Sequence, residues 1–216
     1  MSIPTVEQAA AVLAEGARRN PGPWVSHSEH AGRAARAIAA AIDGLDPQAA
    51  QVFGMLHDIG RAAGVSRLRH VMDGYRAMTE AGWDAVGRIC LTHSFPVPEM
   101  HYYAGANDCT GADAAFLAEF LAGTTYDDYD RLIQLCDALC LPNGFSLLEK
   151  RLVDVALRYG TNEHTVPKWR TWFAIKADFD ARVGGNVYDL LPGIVENTFG
   201  NGDGPRRRGG RRGTEG

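Results

Sequence analysis

With 216 residues and 45% hydrophobic content, the chain can bury a sizeable core, enough for one domain with a tail or for two small ones. The net charge is −4, but the last 17 residues hold Arg206, Arg207, Arg208, Arg211 and Arg212 against Asp203 and Glu215; the remainder has 17 basic and 24 acidic residues, which argues against a broad nucleic-acid surface. No apolar run approaches a membrane span and the N-terminus lacks a basic segment leading into an apolar one, so no membrane partner and a cytoplasmic location are expected.

Taken in order, residues 5–19 read as a helix (Val6, Ala9, Ala10, Leu13, Ala17) closed by the breaker Asn20-Pro21-Gly22-Pro23. From Ser26 to Ile42, His30, Ala34, Ala37, Ile38 and Ala41 recur at helical spacing. His30 therefore heads a stripe of very small residues that lets another helix approach closely, and His27, one turn earlier, is the weaker candidate. Asp46-Pro47 offers an N-cap with proline at the first helical position, opening the helix that runs into Val52-Phe53-Gly54-Met55-Leu56-His57-Asp58-Ile59-Gly60-Arg61. There Val52, Phe53, Leu56 and His57 share a face, so an imidazole points coreward beside a carboxylate. A buried ionised carboxylate is costly unless a cation, a hydrogen-bond network or a bound metal compensates it.

The following loop, residues 61–69, carries Arg61, Arg67 and Arg69 and no acid, which suggests an anionic substrate with phosphate oxygens suited to arginine. His70 opens the next helical pattern (Val71, Tyr75, Met78), and Asp84 caps another in which Val86, Ile89, Cys90 and His93 share a face. Phe95-Pro96-Val97-Pro98 ends it, and residues 99–109, with His101, Tyr102 and Tyr103, read as an irregular lid or packed loop. Helices follow at Thr110–Ala122 and Asp127–Leu141, the latter placing Asp137 on an apolar stripe with Ile133, Cys136 and Cys140. Cys90, Cys136 and Cys140 show no paired metal-ligand spacing and read as free core thiols. Ser146 to Glu149 has the pattern of a capping box opening a helix to about Tyr159. Pro167 opens another with an aromatic face (Trp169, Trp172, Phe173, Ile175, Phe179, Val183) ending at Gly184-Gly185, and Val187 to Phe199 reads as a last helix interrupted near Pro192-Gly193. No period-2 strand signal occurs, so the expected fold is all-α: a helical domain over residues 1–199 and a disordered Gly/Arg-rich tail from Gly200 that offers at most weak RNA or membrane-surface binding.

Ligand-type residues thus fall on the core faces of four helical segments: His30, His57 with Asp58, His93 and Asp137, with His70 at a helix start. A shared cation accounts for this distribution better than five or six separate buried polar groups do. Mixed imidazole and carboxylate ligands suit a divalent metal, and the shortage of thiol ligands argues against a structural zinc site.

The residues His30-x-x-x-Ala34-Ala35, Met55-Leu56-His57-Asp58-Ile59-Gly60-Arg61 and Leu135-Cys136-Asp137-Ala138-Leu139 resemble the HD domain of metal-dependent phosphohydrolases over roughly residues 26–141, with residues 142–199 as a C-terminal helical extension. The resemblance implies a helical bundle in which His30, His57, Asp58 and Asp137 bind one metal, while His70 and His93 match two further histidines of two-metal members, with Asp58 bridging. One or two divalent ions per chain (Fe, Mn, Zn, Co, Ni or Mg) are expected. Alanines stand where larger aliphatics are frequent in the first helix, Arg61 stands where lysine is common, and the Gly-Tyr-Pro signature of the cyclic-dinucleotide branch is missing after His70. The expected activity is hydrolysis of a phosphomonoester or phosphodiester of a small phosphorylated substrate by metal-activated water, with Asp58 holding the water and Arg61, then Arg67 or Arg69, neutralising phosphate. The same ligand set leaves open a di-iron oxygenase and a non-catalytic metal-stabilised sensing domain. Pocket walls are expected from residues 61–69, 94–109 and 141–146.

Overall fold

The computed structural model describes residues 2–200; the expected disordered tail falls almost wholly outside the described residues. Ten α-helices run in chain order as α1 (Val6–Arg19), α2 (Trp24–Ala39), α3 (Pro47–Leu56), α4 (His70–Glu80), α5 (Asp84–Thr92), α6 (Gly111–Gly123), α7 (Asp128–Leu139), α8 (Leu148–Tyr159), α9 (Thr165–Val183) and α10 (Ile194–Phe199). The all-α expectation holds, with one small exception. The helix expected to run to Leu141 stops at Leu139, and Cys140–Leu141 pairs antiparallel with Gly144–Phe145 across Pro142-Asn143. Proline cannot continue the helix and Gly144 adopts φ 138°, so the chain reverses in a tight hairpin instead.

Local chemistry sets most helix starts. Thr5 and Gln8 exchange both bonds of a capping box ahead of α1, Asp46 accepts from the Gln48 N–H at 2.8 Å ahead of α3 with Pro47 at the first position, and Asp127 with Asp130 caps α7 reciprocally. The capping box expected at Ser146 does not form. The Ser146 hydroxyl turns to the Leu147 carbonyl, and the Leu147 N–H is taken by the Thr198 hydroxyl of α10 at 2.9 Å, so a tertiary partner replaces the local one. Pro167 lies inside the first turn of α9, and the aromatic face of that helix splits: Trp172, Ile175 and Phe179 are buried, whereas Phe173 turns outward. The last segment is a 3-10 turn at Val187–Leu190 followed by α10.

The core is centred on the pair α2 and α3, crossed by α7 and flanked by α1 and α5. These two helices touch backbone to backbone. A Cβ added to Gly54 would stand 2.6 Å from the Ala31 carbonyl oxygen, and one added to Gly32 would stand 2.6 Å from Met55 Cγ. The small residues Ala31, Gly32, Ala34 and Ala35 on α2 are all buried, so close approach rather than side-chain bulk fills this layer. A buried polar network ties α5 to α7: Thr92 donates to Asp130 at 2.7 Å, Arg88 pairs with the same carboxylate, and Gln134 donates to the carbonyls of Thr92 and Phe95. Asp130 is fully buried, yet Arg88, the Thr92 hydroxyl and the Asp127 N–H all donate to it, which is how a buried carboxylate is tolerated. A second apolar cluster (Leu68, Val71, Leu91, Phe95, Leu117, Leu121) joins α4, α5 and α6.

Gly54→Ala is expected to lower stability by about 1–3 kcal/mol, because the added methyl meets main chain that cannot move aside; a thermal melt unchanged from the parent protein would refute this close contact.

Candidate functional site

The stretch around His57-Asp58 is where α3 stops. His57 caps the helix, and Asp58 begins a 3-10 turn at Ile59–Ala63. The turn is held tightly against α4: a Cβ on Gly60 would lie 1.9 Å from the His70 carbonyl oxygen, so only glycine permits the approach. Leaving the helix at this point lets the two consecutive side chains converge on one volume. His70 enters it from the first residue of α4, His93 from the end of α5 and Asp137 from the last turn of α7.

The fourth imidazole is His27, not His30. Its Nε2 lies 3.0 Å from Asp137 Oδ1 and 3.2 Å from His57 Nε2. His30, expected as a ligand, is turned away: its Nδ1 donates to the Ser26 carbonyl at 2.7 Å, and its ring sits edge-on to Phe145 of the hairpin. Three residues of α-helix rotate a side chain by about 300°, so the two positions share a stripe without sharing a direction. The helical repeat could not separate them, since both head the same small-residue stripe.

The six groups form two halves. His27, His57 and Asp137 make one, with His57 Nε2 at 3.7 Å from Asp137 Oδ1. Asp58, His70 and His93 make the other, with Asp58 Oδ1 at 3.1 and 3.5 Å from the two Nε2 atoms. Asp58 stands between them, its Oδ2 reaching to 4.0 Å from His57 and accepting from Arg61 Nε at 2.6 Å. Behind the cluster every imidazole is anchored in the same way. His27 Nδ1 donates to the Cys140 carbonyl, His57 Nδ1 to Gly54, His70 Nδ1 to Arg67 and His93 Nδ1 to Cys90. A carbonyl only accepts, so each ring carries its proton on Nδ1 and presents Nε2 to the centre.

Electrostatics follow from that geometry. Burial alone pushes the Asp58 carboxyl up, but Arg61 and His70 outweigh it and hold the group well below the usual carboxylate range. Asp137 is likewise held low, against its burial, by the His27 and His57 rings beside it. Burial pulls His57 down, but the bond to Asp137 and the charge of Asp58 raise it overall, while burial dominates at His93 and lowers it. Two facing pairs, His27 with His57 and His70 with His93, bring Nε2 atoms to 3.2 and 3.3 Å, and Asp58 Oδ1 is buried without a hydrogen-bond partner among the described residues. Facing acceptors at such distances call for positive charge between them. Four imidazole nitrogens and two carboxylates are a donor set that fits one or two divalent ions.

The cluster forms the floor of a cavity of about 950 Å³. Arg61 lines it beside Asp58. Arg67 and Arg69, expected to face substrate, do not: their backbone N–H groups bind the two oxygens of Asp108 at 2.7 Å, the Arg69 guanidinium pairs with Asp73, and Arg67 is exposed. Of the expected walls, Val65, Ser94, Tyr102, Tyr103 and Leu141 contribute, but a large share comes from α8 and α9, through Arg151, Leu152, Val155, Lys168, Trp169 and Trp172. Nothing in the sequence pointed α8 and α9 toward the site, since a polar residue on an amphipathic helix reads the same whether it faces bulk water or a wet cavity. Asn20, read only as part of a breaker, holds the main chain of Arg61 through its side-chain amide at 2.6 Å.

Asp108→Ala removes the acceptor that clamps the 66–69 loop, and trypsin cleavage after Arg67 or Arg69 is expected to quicken about tenfold, as local opening becomes easier; an unchanged digestion rate would show that the clamp is dispensable.

Among the described residues, no helix is long and apolar enough to cross a membrane. Comparison with curated proteins and with solved structures found no match. The family model described as HD domain matches residues 24–141, more than half of the chain and the whole stretch from α2 through the first hairpin strand that supplies all six clustered groups. The chain belongs to the HD domain family, the superfamily of metal-dependent phosphohydrolases.

Proposed function

We propose that this protein is a metal-dependent phosphohydrolase that cleaves a phosphomonoester or phosphodiester of a small molecule. One observation carries the reading: four histidines, each tethered through Nδ1 to a main-chain carbonyl, turn their Nε2 atoms toward two carboxylates at the floor of a cavity large enough for an organic substrate. His27, His57 and Asp137 would hold one divalent ion and His70 with His93 a second, with Asp58 shared between the halves.

A divalent ion held there supplies a water molecule that ionises near neutral pH and positive charge for the phosphoryl oxygens. The protein's own groups do the rest. Asp58, kept ionised by Arg61, accepts a proton or hydrogen bond from the attacking water at Oδ1, the oxygen that lacks a partner. Arg61 is mostly buried beside Asp58 and presents the remaining N–H groups of its fork to the cavity, suited to a phosphoryl oxygen. The tethered imidazoles keep the ligand atoms from rotating away, so little reorganisation is needed when the charge of the phosphate changes. Burial pushes the Tyr103 hydroxyl up to about 12, so it stays protonated and can donate within the cavity across the neutral range.

Elemental mass spectrometry of the purified protein is expected to find about two divalent metal ions per chain, falling to about one in His70→Ala and in His93→Ala. Asp58→Ala is expected to lose tight metal binding and the hydrolysis of p-nitrophenyl phosphate or bis-p-nitrophenyl phosphate, and Arg61→Ala to lose about 10²-fold in kcat/KM. Normal turnover in Asp58→Ala would overturn the assignment. Iron with substrate-dependent oxygen consumption would favour the oxygenase reading of the same six groups, and bound metal without turnover of any ester a sensing domain.

A further inference from the structure

The cavity wall above the metal cluster is unlike the rest of this acidic protein. Among the described residues, no carboxylate lines it apart from Asp58 and Asp137 on the floor, whereas Arg61, Arg151, Arg158 and Lys168 do. Arg61 sits on the floor, paired with Asp58. The other three come from α8 and α9, beyond the residues that the HD domain matches. Arg158 is exposed at the rim, but Arg151 and Lys168 are half-buried. Neither forms an ion pair among the described residues: Lys168 donates one bond, from Nζ to the Tyr102 carbonyl at 2.8 Å, and the Arg151 guanidinium donates none. An ammonium has three N–H groups and a guanidinium five, so both cations bring unused donors to a space walled by Trp24, Trp169 and Trp172. Burial lowers Lys168, the direction an uncompensated cation takes when it leaves water. Lys168 gains one carbonyl bond for the water it loses, and the Arg151 guanidinium has no protein acceptor among the described residues; an anion is the partner that completes both. The bond to Tyr102 also ties the loop carrying Tyr102 and Tyr103 to α9.

We propose that Arg151 and Lys168 form a second anion-recognition site, remote from the cleaved phosphate, and that the substrate is a phosphate ester carrying a second acidic group, phosphate or carboxylate, at the far end of an apolar or flat body. This inference rests on the phosphohydrolase reading for which group is cleaved, but not for the second site itself.

The test is a titration of the full chain, loaded with its metal and monitored by tryptophan fluorescence, using matched probes: phenyl phosphate, 4-carboxyphenyl phosphate, 1,4-phenylene bisphosphate and the biphenyl counterparts of all three. Probes with two anionic groups are expected to bind at least about tenfold more tightly than the single-anion parent, with the carboxylate and bisphosphate arms separating the two chemistries. In Arg151→Gln and Lys168→Gln, shown folded by an unchanged thermal melt, that preference is expected to fall to within about twofold of one. Equal affinity for one-anion and two-anion probes at both spacings overturns the proposal, as does a full preference retained in both variants. A preference for two anions without hydrolysis of any probe upholds the second site and removes the phosphohydrolase reading, so the two fail separately.

Discussion

The constraint on which this structure turns is the confinement of two carboxylates and four imidazole Nε2 atoms within a few ångströms of one another at the floor of the cavity. Each imidazole has spent its only proton on a main-chain carbonyl behind it, so the centre consists of acceptors. Acceptors do not satisfy one another. Within the protein Arg61 relieves part of the charge, and Asp58 Oδ1 is left without a partner among the described residues. Such a cluster is unfavourable for stability taken by itself and must be sustained by packing elsewhere.

That packing is visible in the elements that deliver the six groups. The backbone contact of α2 and α3 at Gly32 and Gly54 puts His27 beside His57, the seating of Gly60 on the first turn of α4 puts Asp58 beside His70, and the network of Arg88, Thr92, Asp130 and Gln134 sets the end of α5 against α7, bringing His93 toward Asp137. Each of the three contacts is made by small residues or by fully bonded polar ones. Neither kind tolerates a change of size or charge, which is how ligand atoms from five segments are held to within a few ångströms.

The HD portion and the segment after it divide the work. Residues 24–141 bring the cluster, and α8 and α9 bring a large share of the upper wall, including Trp169, Trp172 and the cations Arg151 and Lys168, which form no ion pair among the described residues. On the proposed reading, chemistry that depends on charge at the reacting atoms would reside in one part of the chain, and recognition of the body of the substrate in another. A cavity built this way can change its ligand by altering α8 and α9 while leaving the floor intact.

Much of the site was legible because its cost is local. His57-Asp58 and Asp137 each put a polar group on an apolar helical face, and the helix starts at Asp46, Thr110 and Asp127 follow from capping chemistry within four residues of sequence. What the sequence could not decide needed the third dimension. His27 and His30 have the same neighbours in the repeat, and only the packing of α2 against α7 and the hairpin sets the first at Asp137 and the second against Phe145. Arg61, Arg67 and Arg69 look alike in one cationic loop, but Asp108, some 40 residues away, takes the backbone of the last two and directs them from the cavity. Arg151 and Lys168 gave no signal, because an exposed cation and one lining a cavity have the same sequence. Amino-acid order determined which residues must be buried and which caps must form; which buried groups meet was decided by long-range packing, where a rotation of 60° about a helix axis exchanges one ligand for another.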